Sequence, residues 1–359
     1  MNWENFRLTK RLSLKAQDIE KIYSTLSEID GVKNSWKITG QLLPQTLERL
    51  TRSVIVTSTG ASNRIEGNTL SDKEVEHLYK KLSVKKFKNR DEQEIAGYVT
   101  CLELVFEKYN EIPIRESSIL KLHHDMLIHS SKDLHHKGTY KTGSNRVEAK
   151  DQSGNIVGVI FDPTPPFLVK KEMQELIDWY EWATKAETKH PLILIANFIF
   201  EYLAIHPFLD GNGRTSRLLT NLMLLQQGYT FAKVVSHERL IEKHKVNYYL
   251  SLNKTQSTWK TEDEEIAPWL LFFLEIVKEQ SSQALKIIEG DNIEYLLSEK
   301  QLALWQWANE IAGEFSRKEA VLALQFPERT VESIIKKLVE LKALERLGQG
   351  KATRYKLIS

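Results

Sequence analysis

The chain has 359 residues, with 50 Lys and Arg against 48 Asp and Glu, a formal net charge of +2, and 41% hydrophobic and 27% charged residues. That balance excludes collagen-like, low-complexity and disulfide-stapled classes, and it predicts no general attraction to nucleic acid or membrane. Cys101 is the only cysteine, so no intrachain disulfide can form, which fits a reducing cytoplasm. The opening Met-Asn-Trp-Glu-Asn-Phe lacks the basic-then-apolar pattern of a signal peptide. The longest apolar stretch, Leu192 to Ile205, is broken by Asn197 and Glu201 and is too short to span a bilayer. A cytoplasmic protein without membrane contact is the expectation.

Helical periodicity dominates the first half. Leu14 to Ile29 reads as an amphipathic helix and Leu43 to Ser58 as another, followed by Gly60 and the segment Ser62-Asn63-Arg64-Ile65-Glu66-Gly67. Ser71-Asp72-Lys73-Glu74 has the form of a capping box opening the next helix. Lys80 to Arg90 is a basic run, read as a solvated helix end or loop. Asp91 to Tyr109 and Glu116 to Met126 read as further helices. His123-His124 and His135-His136 have no Cys or carboxylate at ligand spacing, so they are read as helix-face or loop residues.

Residues 138 to 167 break the helical pattern. Arg146 to Lys150 alternates, Asp151-Gln152-Ser153-Gly154-Asn155 is a turn, and Ile156 to Phe161 carries β-branched residues at short spacing. Asp162-Pro163-Thr164-Pro165-Pro166 ends the strand, because proline cannot join a ladder. A hairpin standing alone in a helical chain is marginal by itself, which points to a functional use.

Two apolar runs, Leu192 to Ile205 and Leu218 to Leu225, then flank His206-Pro207-Phe208-Leu209-Asp210-Gly211-Asn212-Gly213-Arg214-Thr215-Ser216-Arg217. Helix, tight loop, helix is the predicted form. Glycines let main-chain N–H groups close on a ligand. The start of a helix offers unpaired N–H groups and a positive dipole end. Arg214 and Arg217 supply planar forks for phosphate oxygens. His206 is a candidate general base and Asp210 a candidate metal ligand, so the stretch describes a polyphosphate site with a base beside it.

Gly228 reads as the residue closing the second helix. Lys243 to Asn253 follows, with Tyr248 and Tyr249. From about residue 290 the chain reads as separate: a helix from Leu302 to Ile311, a capping box at Ser316-Arg317-Lys318-Glu319, a helix from Glu328 to Leu341 behind Pro327, and two short strands around Gly348-Gln349-Gly350. That order is similar to a winged helix. Its second helix mixes Arg329, Lys336, Lys337 and Lys342 with Glu328, Glu332 and Glu340, where a DNA reader shows a basic face. Protein contact or dimerisation is therefore kept beside DNA binding.

The stretch from His206 to Arg217 resembles the full signature of the Fic (filamentation-induced-by-cAMP) domain family, over about residues 40 to 285. The resemblance implies a mainly α fold: a Fic-type helical core with a β-hairpin flap, plus a small C-terminal winged-helix (α+β) domain. It divides the chain into an N-terminal helical region (1–110), a catalytic core (111–285) and the C-terminal domain (290–359). Most of the family move AMP from ATP onto a hydroxyl of a target protein. Phosphorylating relatives have Lys where this chain has Gly213, so the intact Gly-Asn-Gly implies AMP transfer.

The same resemblance assigns roles. His206 is the general base. Asp210 binds Mg²⁺, and the loop from Asp210 through Gly211, Asn212, Gly213, Arg214, Thr215, Ser216 to Arg217 binds ATP. Val159, Ile160 and Phe161 of the flap cover the nucleotide and hold the target peptide by strand addition. The flap has Lys141 where relatives often have Arg, and a longer proline run. Tyr248, Tyr249 and Gln256 stand where relatives border and bond adenine. Ser62 to Gly67 resembles the family's inhibitory motif, Ser/Thr-x-x-x-Glu-Gly/Asn, in which Glu66 would pair with Arg217 and misplace the γ-phosphate. The expected partners are a protein carrying a Tyr, Thr or Ser hydroxyl, the chain itself by auto-modification, and a second copy in a homodimer. Three alternatives stay open: removal of AMP in the same pocket with Glu66 orienting water, another phosphorus transfer, and a winged-helix DNA-binding regulator on a Fic core.

Overall fold

A helix that is apolar on every side must be surrounded by protein. The run 192–205 is such a helix, and the first compact unit is built around it. A computed structural model describes the chain except residues 1, 40–43, 83–86, 88, 131, 146, 151–155, 290–296, 312, 342, 349, 351–352 and 359. The side chains of 37–39, 44–45, 147–150, 156–160 and 288–289 are also outside the description. The chain forms two compact units, residues 1–35 with 51–282, and residues 36–50 with 283–359.

In chain order the helices leading to the site are α1 (Arg7–Lys10), α2 (Ala16–Thr39), α3 (Pro44–Ile65), α4 (Asp72–Tyr79), α5 (Arg90–Lys108) and α6 (Glu116–Met126). The hairpin β1 (Val147–Lys150) and β2 (Ile156–Phe161) follows. Then come α7 (Pro166–Lys185), α8 (Pro191–Ile205), α9 (Asn212–Gln226), α10 (His237–Lys243), α11 (Lys245–Gln256) and α12 (Ala267–Glu289). No helix among the described residues is long and apolar enough to cross a membrane.

The α8 helix opens on Pro191, whose fixed φ suits a first turn, with the His190 ring accepting from the Leu192 N–H at 3.2 Å. Every residue from Leu192 to Ile205 is buried, and the helix packs on α7 and α9. The helix α9 also packs on α5 and α6. Two polar residues inside α8 are matched. The Glu201 carboxylate accepts from Arg7, from Arg11 at 2.6 Å and from the Trp259 indole at 3.1 Å. Asn197 accepts from Arg11 at 2.5 Å and donates to the Leu8 carbonyl at 3.0 Å. Burial alone would raise the Glu201 carboxyl; Arg11 and Arg7 instead hold it down to about 2. The network ties the N-terminal segment to the helix that ends at the site.

Several local signals form as read. Ser71 and Ser316 each make both halves of a capping box. Gly228 closes α9 with φ 80°, its N–H on the Leu225 carbonyl at 2.9 Å. The strands β1 and β2 pair antiparallel, Glu148 opposite Val159, with two irregularities in register. Residues 151–155, read as a turn, and Arg146, read as the start of the alternating stretch, lie outside the described residues.

Other boundaries move. The α2 helix runs on through Gly31 to Thr39, since Gly31 meets open space and interrupts nothing. The α3 helix passes Gly60 and ends only at Ile65, so Ser62 lies in the last turn of a helix of 22 residues. A Schellman end follows, with Gly67 at φ 99°, its N–H on the Arg64 carbonyl at 3.1 Å and the Asn68 N–H on the Asn63 carbonyl at 3.0 Å. Glu66 is thereby held rigidly off the end of a long helix.

The second unit contains α13 (Glu299–Ile311), α14 (Arg317–Leu324), α15 (Glu328–Glu340) and the antiparallel pair β3 (Leu344–Leu347) and β4 (Arg354–Leu357). Leu304, Phe315, Val331, Ile334, Leu338 and Leu344 are among its core residues. Phe315 and Tyr355 exchange main-chain hydrogen bonds of 2.9 and 2.8 Å, adding a bridge to the hairpin. Lys342 and Gln349 fall outside the described residues.

Where α5 meets α6, Gly97 lies against the backbone of Met126, and a Cβ there would collide with the Met126 carbonyl. Neither backbone can yield cheaply. Gly97→Ala is expected to cost at least about 3 kcal/mol, the upper part of the overpacking range. Gly31→Ala, in a helix interior with open space, should instead gain roughly 0.5–1 kcal/mol. Urea unfolding of the two variants beside the parent checks both signs.

Candidate active site

The turn from α8 to α9 spans six residues, His206 to Gly211, and is closed at both ends by left-handed backbone: His206 at φ 52° and Gly211 at φ 79°. Left-handed geometry is ordinary for glycine and strained for histidine. His206 takes the place a closing glycine usually has, its N–H on the Tyr202 carbonyl at 3.0 Å. Its ring Nδ1 lies 3.2 Å from the Leu203 carbonyl. A carbonyl only accepts, so Nδ1 carries the proton and Nε2 keeps a free lone pair. Burial, with the charge of Lys141 adding to it, lowers the ring to about 4. His206 is thus a neutral imidazole with its basic nitrogen available.

The other side of the turn is the start of α9. No side chain caps it, so the first N–H groups of the helix have no partner in the helix. Inside the turn, Asn212 accepts from the Phe208 N–H at 2.9 Å and donates to the Phe208 carbonyl at 2.7 Å. The Asp210 carboxylate accepts from its neighbour's N–H (Gly211, 2.6 Å), from Arg90 at 2.9 Å and from Arg214 at 3.3 Å. Burial would raise Asp210, but Arg214, the Gly211 N–H and Arg90 together hold it below the ordinary carboxylate range.

The two arginines are fully buried, each with a side chain 2% exposed. Arg217 donates to the Ser62 hydroxyl at 2.8 Å, to the Ser62 carbonyl at 2.9 Å and to the Glu66 carboxylate at 2.7 Å. Burial works against its charge, and Glu66 more than restores it. Arg214 has Glu94 at 3.4 Å. Even so, Nε and Nη1 of Arg214 and Nη1 of Arg217 have no hydrogen-bond partner among the described residues. Buried N–H groups left unpaired are costly, so these three mark a place built for an acceptor.

A cavity of about 600 Å³ opens over the turn. Of the residues singled out from sequence, Glu66, Phe161, His206, Asp210, Gly211, Asn212, Gly213, Tyr248, Tyr249 and Gln256 line it. Arg214, Thr215, Ser216 and Arg217 are buried behind that wall. Ser216 is spent on the Gly213 carbonyl at 2.7 Å. Ser62 reaches the site through Arg217, and Gly67 through the geometry of the helix end. The backbones of Val159 and Ile160 belong to β2, while their side chains lie outside the description. Phe161, at the end of β2, packs near Trp259 with ring centres 5.4 Å apart. Tyr248 is buried edge-on against Tyr249, Trp269 and Phe272, whereas Tyr249 is 46% exposed.

Glu66 reaches the start of α9 closely. A Cβ at Gly213 would strike the Glu66 carboxylate, so that carboxylate occupies the space above the first turn. It is anchored from below: Lys245 donates to the Ile65 carbonyl at 2.9 Å, and Arg64 bonds Glu242 at 2.7 and 3.0 Å and pairs with Asp72 at 2.9 Å.

Four residues enter that sequence reading did not place here. Arg90, read as part of a solvated basic run, opens α5 and holds Asp210. The Lys85, Lys86 and Lys88 of that run lie outside the described residues. Glu94 stands one helical turn on, bonded to Arg90 at 2.7 Å. His123, read as a helix-face residue, is fully buried and stacked on Phe208 with ring centres 3.6 Å apart. Asn145 donates to the His206 and Phe208 carbonyls. The only signal for the first two was helical spacing of opposite charges; nothing local marked the others.

The comparisons agree with this geometry. The model of the Fic/DOC family matches residues 113–224. The protein adenylyltransferase fic-1 of Caenorhabditis briggsae is 29% identical over 192 residues, 53% of this chain and 34% of that protein. The protein adenylyltransferase Fic of Nematostella vectensis is 29% identical over 194 residues, 54% and 41% of the two chains. The chain therefore spans less than half the length of these curated relatives. Among solved structures, a Fic family protein from Desulfovibrio desulfuricans superposes with a TM-score of 0.62 at 23% identity, covering 94% of this chain and 95% of that one. Fic-1 from Caenorhabditis elegans gives a TM-score of 0.59 at 20% identity, covering 77% and 74%. The fold is shared with both, and the signature turn and its arginines lie inside residues 113–224, the segment that matches the Fic/DOC family model.

Proposed function

We propose that the chain is a protein adenylyltransferase, moving AMP from ATP to a Tyr, Thr or Ser hydroxyl of a target protein, and that Glu66 restrains it. The observation that carries the reading is the set of unpaired, buried guanidinium N–H groups behind an uncapped helix start, with the free nitrogen of His206 beside them. That is an anion site with a base at its edge. The curated relatives named protein adenylyltransferase make ATP the natural occupant.

In this reading Arg214 and Arg217 meet the β- and γ-phosphates, and the first N–H groups of α9 face the α-phosphate and the charge that develops on it. Adenine lies towards Tyr248, Tyr249 and Gln256, the far wall of the cavity. The target hydroxyl attacks the α-phosphorus, the bond to the β-phosphate oxygen breaks, and pyrophosphate leaves. His206 takes the hydroxyl proton on Nε2.

No cluster of three or more His, Cys, Asp or Glu suited to a metal occurs among the described residues. A lone carboxylate at the phosphates suits Mg²⁺, which takes one or two carboxylates and completes its shell with phosphate and water. Asp210, held ionised and lining the cavity, is that carboxylate. Mg²⁺ there would neutralise phosphate charge; the residues of the turn supply the rest.

The restraint follows from charge and space. Glu66 takes an N–H of Arg217 and fills the volume above Gly213, so a γ-phosphate cannot also be seated there. The second unit, three helices and a hairpin, supports a winged-helix-like module. Its Arg317 is paired with Glu328 at 3.1 Å and Glu332 at 3.4 Å. That mixed face favours a protein contact or a homodimer over DNA.

With α-phosphate-labelled ATP, Glu66→Gly is expected to label itself or a target at least about tenfold more than the parent, the scale of one lost charge-assisted contact. His206→Ala in the same background should lose labelling by about 10²–10⁴-fold with ATP binding kept. No rise in Glu66→Gly, with folding intact, sinks the restraint; parental labelling in His206→Ala sinks the base. Glu66-dependent loss of AMP from a premodified target would assign removal instead.

The pH profile is a separate check. The working form of His206 is neutral, and its pKa is depressed to about 4, so the base is lost only as pH falls through that value. In Glu66→Gly, the rate should stay within about twofold from neutral pH down to about one unit above that value. An acid limb centred near the ordinary histidine value would contradict the burial assigned to His206.

A further inference from the structure

Four of the six carbonyl oxygens of the turn, those of His206, Pro207, Phe208 and Asp210, are met by donors from Asn145, Lys141 and His123. Lys141 donates its main-chain N–H to the Pro207 carbonyl at 2.9 Å and its Nζ to the Ile205 carbonyl at 3.3 Å. Asn145 donates to the His206 carbonyl at 3.2 Å and to the Phe208 carbonyl at 2.6 Å. Its amide orientation is settled, because Oδ1 accepts from Lys141 Nζ at 2.6 Å. His123 lies 2.9 Å from the Asp210 carbonyl through Nε2, while its Nδ1 accepts the Gly138 N–H at 2.9 Å. With Nδ1 an acceptor, Nε2 must carry the proton and donate. The ring also lies flat on Phe208, the interplanar angle being 2°.

These contacts bracket the strained residue. His206 is left-handed without being glycine, and such a conformation persists only where its surroundings over-determine it. The peptide groups before and after it are pinned by Lys141 and Asn145. Released, the His206–Pro207 peptide could rotate, and the Nδ1 contact to Leu203 that leaves Nε2 basic would be lost. Lys141 is 3% exposed, and its Nζ donates to two uncharged oxygens, while burial disfavours its ammonium and the charges of Asp162 and Glu172 favour it.

We propose that His123, Lys141 and Asn145 form a carbonyl clamp, a set of positioning residues that hold His206 and the start of α9 in working geometry without touching substrate. This deepens the AMP-transfer reading and rests on it for its kinetic test.

The test uses the full chain carrying Glu66→Gly, with Asn145→Ala, Asn145→Asp, His123→Gln and His123→Ala added singly. A displaced base costs on the order of a hundredfold in rate. Both Asn145 variants are expected to lose about that much kcat, with KM for ATP within about threefold and the thermal midpoint little changed. Asp has the size of Asn but donates nothing, so parental kcat in Asn145→Asp overturns the clamp. His123→Gln retains a donor and should keep at least about tenfold more kcat than His123→Ala; equal losses remove His123 from the clamp. The second readout needs no activity. In ¹⁵N-histidine NMR the parent should show His206 protonated on Nδ1 and His123 on Nε2, and Asn145→Ala should lose the His206 signature. An unchanged His206 signal in folded Asn145→Ala overturns the proposal. If Glu66→Gly transfers no AMP at all, the AMP-transfer reading fails, and the NMR comparison alone decides the clamp.

Discussion

A buried helix must end somewhere, and its last carbonyls and the next helix's first N–H groups must find partners or be left without them. The turn from α8 to α9 resolves this asymmetrically. Its carbonyls are met by Lys141, Asn145, His123 and Asn212. The N–H side has no side-chain cap, and behind it lie buried N–H groups of Arg214 and Arg217 with no hydrogen-bond partner among the described residues. Unpaired donors in a dry interior are costly unless an acceptor arrives. The arrangement therefore stores affinity for an anion, and it makes a phosphate chain a better fit than a neutral ligand.

The same cost bears on the restraint proposed for Glu66. An exposed ion pair contributes little, because water competes for both partners. Here the guanidinium of Arg217 is buried and the carboxylate approaches from the cavity side. Glu66 holds Nη2 of Arg217 and leaves Nη1 without a hydrogen-bond partner among the described residues, so a phosphate oxygen reaching this guanidinium would meet one donor already taken and one open. Lys245 on the Ile65 carbonyl, and Arg64 on Glu242 and Asp72, fix the end of α3 that carries Glu66. Those anchors are partly exposed, whereas the Arg217 that Glu66 meets is buried.

Stability and chemistry sit side by side on α8 and beyond its end. Within the helix, Glu201 and Asn197 are met by Arg7, Arg11, Trp259 and the Leu8 carbonyl, so the charges there are matched. Breaking such a buried pair leaves an uncompensated charge, costing about 3–5 kcal/mol. In the turn that follows, His206 is strained, Asp210 is shared between two arginines, and Nε and Nη1 of Arg214 lack a hydrogen-bond partner among the described residues. The buried helix carries the turn directly at its end.

Much of this was readable along the chain, because the information was local. The signature from His206 to Arg217 carries its own base, glycines and arginines within one turn. Ser71 and Ser316 carry their capping partners three residues away, and the hairpin carries its own alternation. Boundaries slipped where a local breaker was overruled. Gly60 does not end α3 and Gly31 does not end α2, since each helix continues past its glycine; a Cβ at Gly60 would crowd Arg64 and Asp72, whereas at Gly31 it would meet open space.

By itself, then, the sequence determined the helical class, the flanked turn, the groups proposed to face phosphate, and the Glu66 motif. Only the tertiary structure decided which other residues join them. His123, Lys141 and Asn145 approach the turn from about 60 to 90 residues away along the chain, and Arg90 from 120. Hydrogen bonds to main-chain carbonyls leave no mark in residue type or spacing, because every residue has a carbonyl. The side chains that meet them look like ordinary helix or loop residues until folding brings the carbonyls within reach.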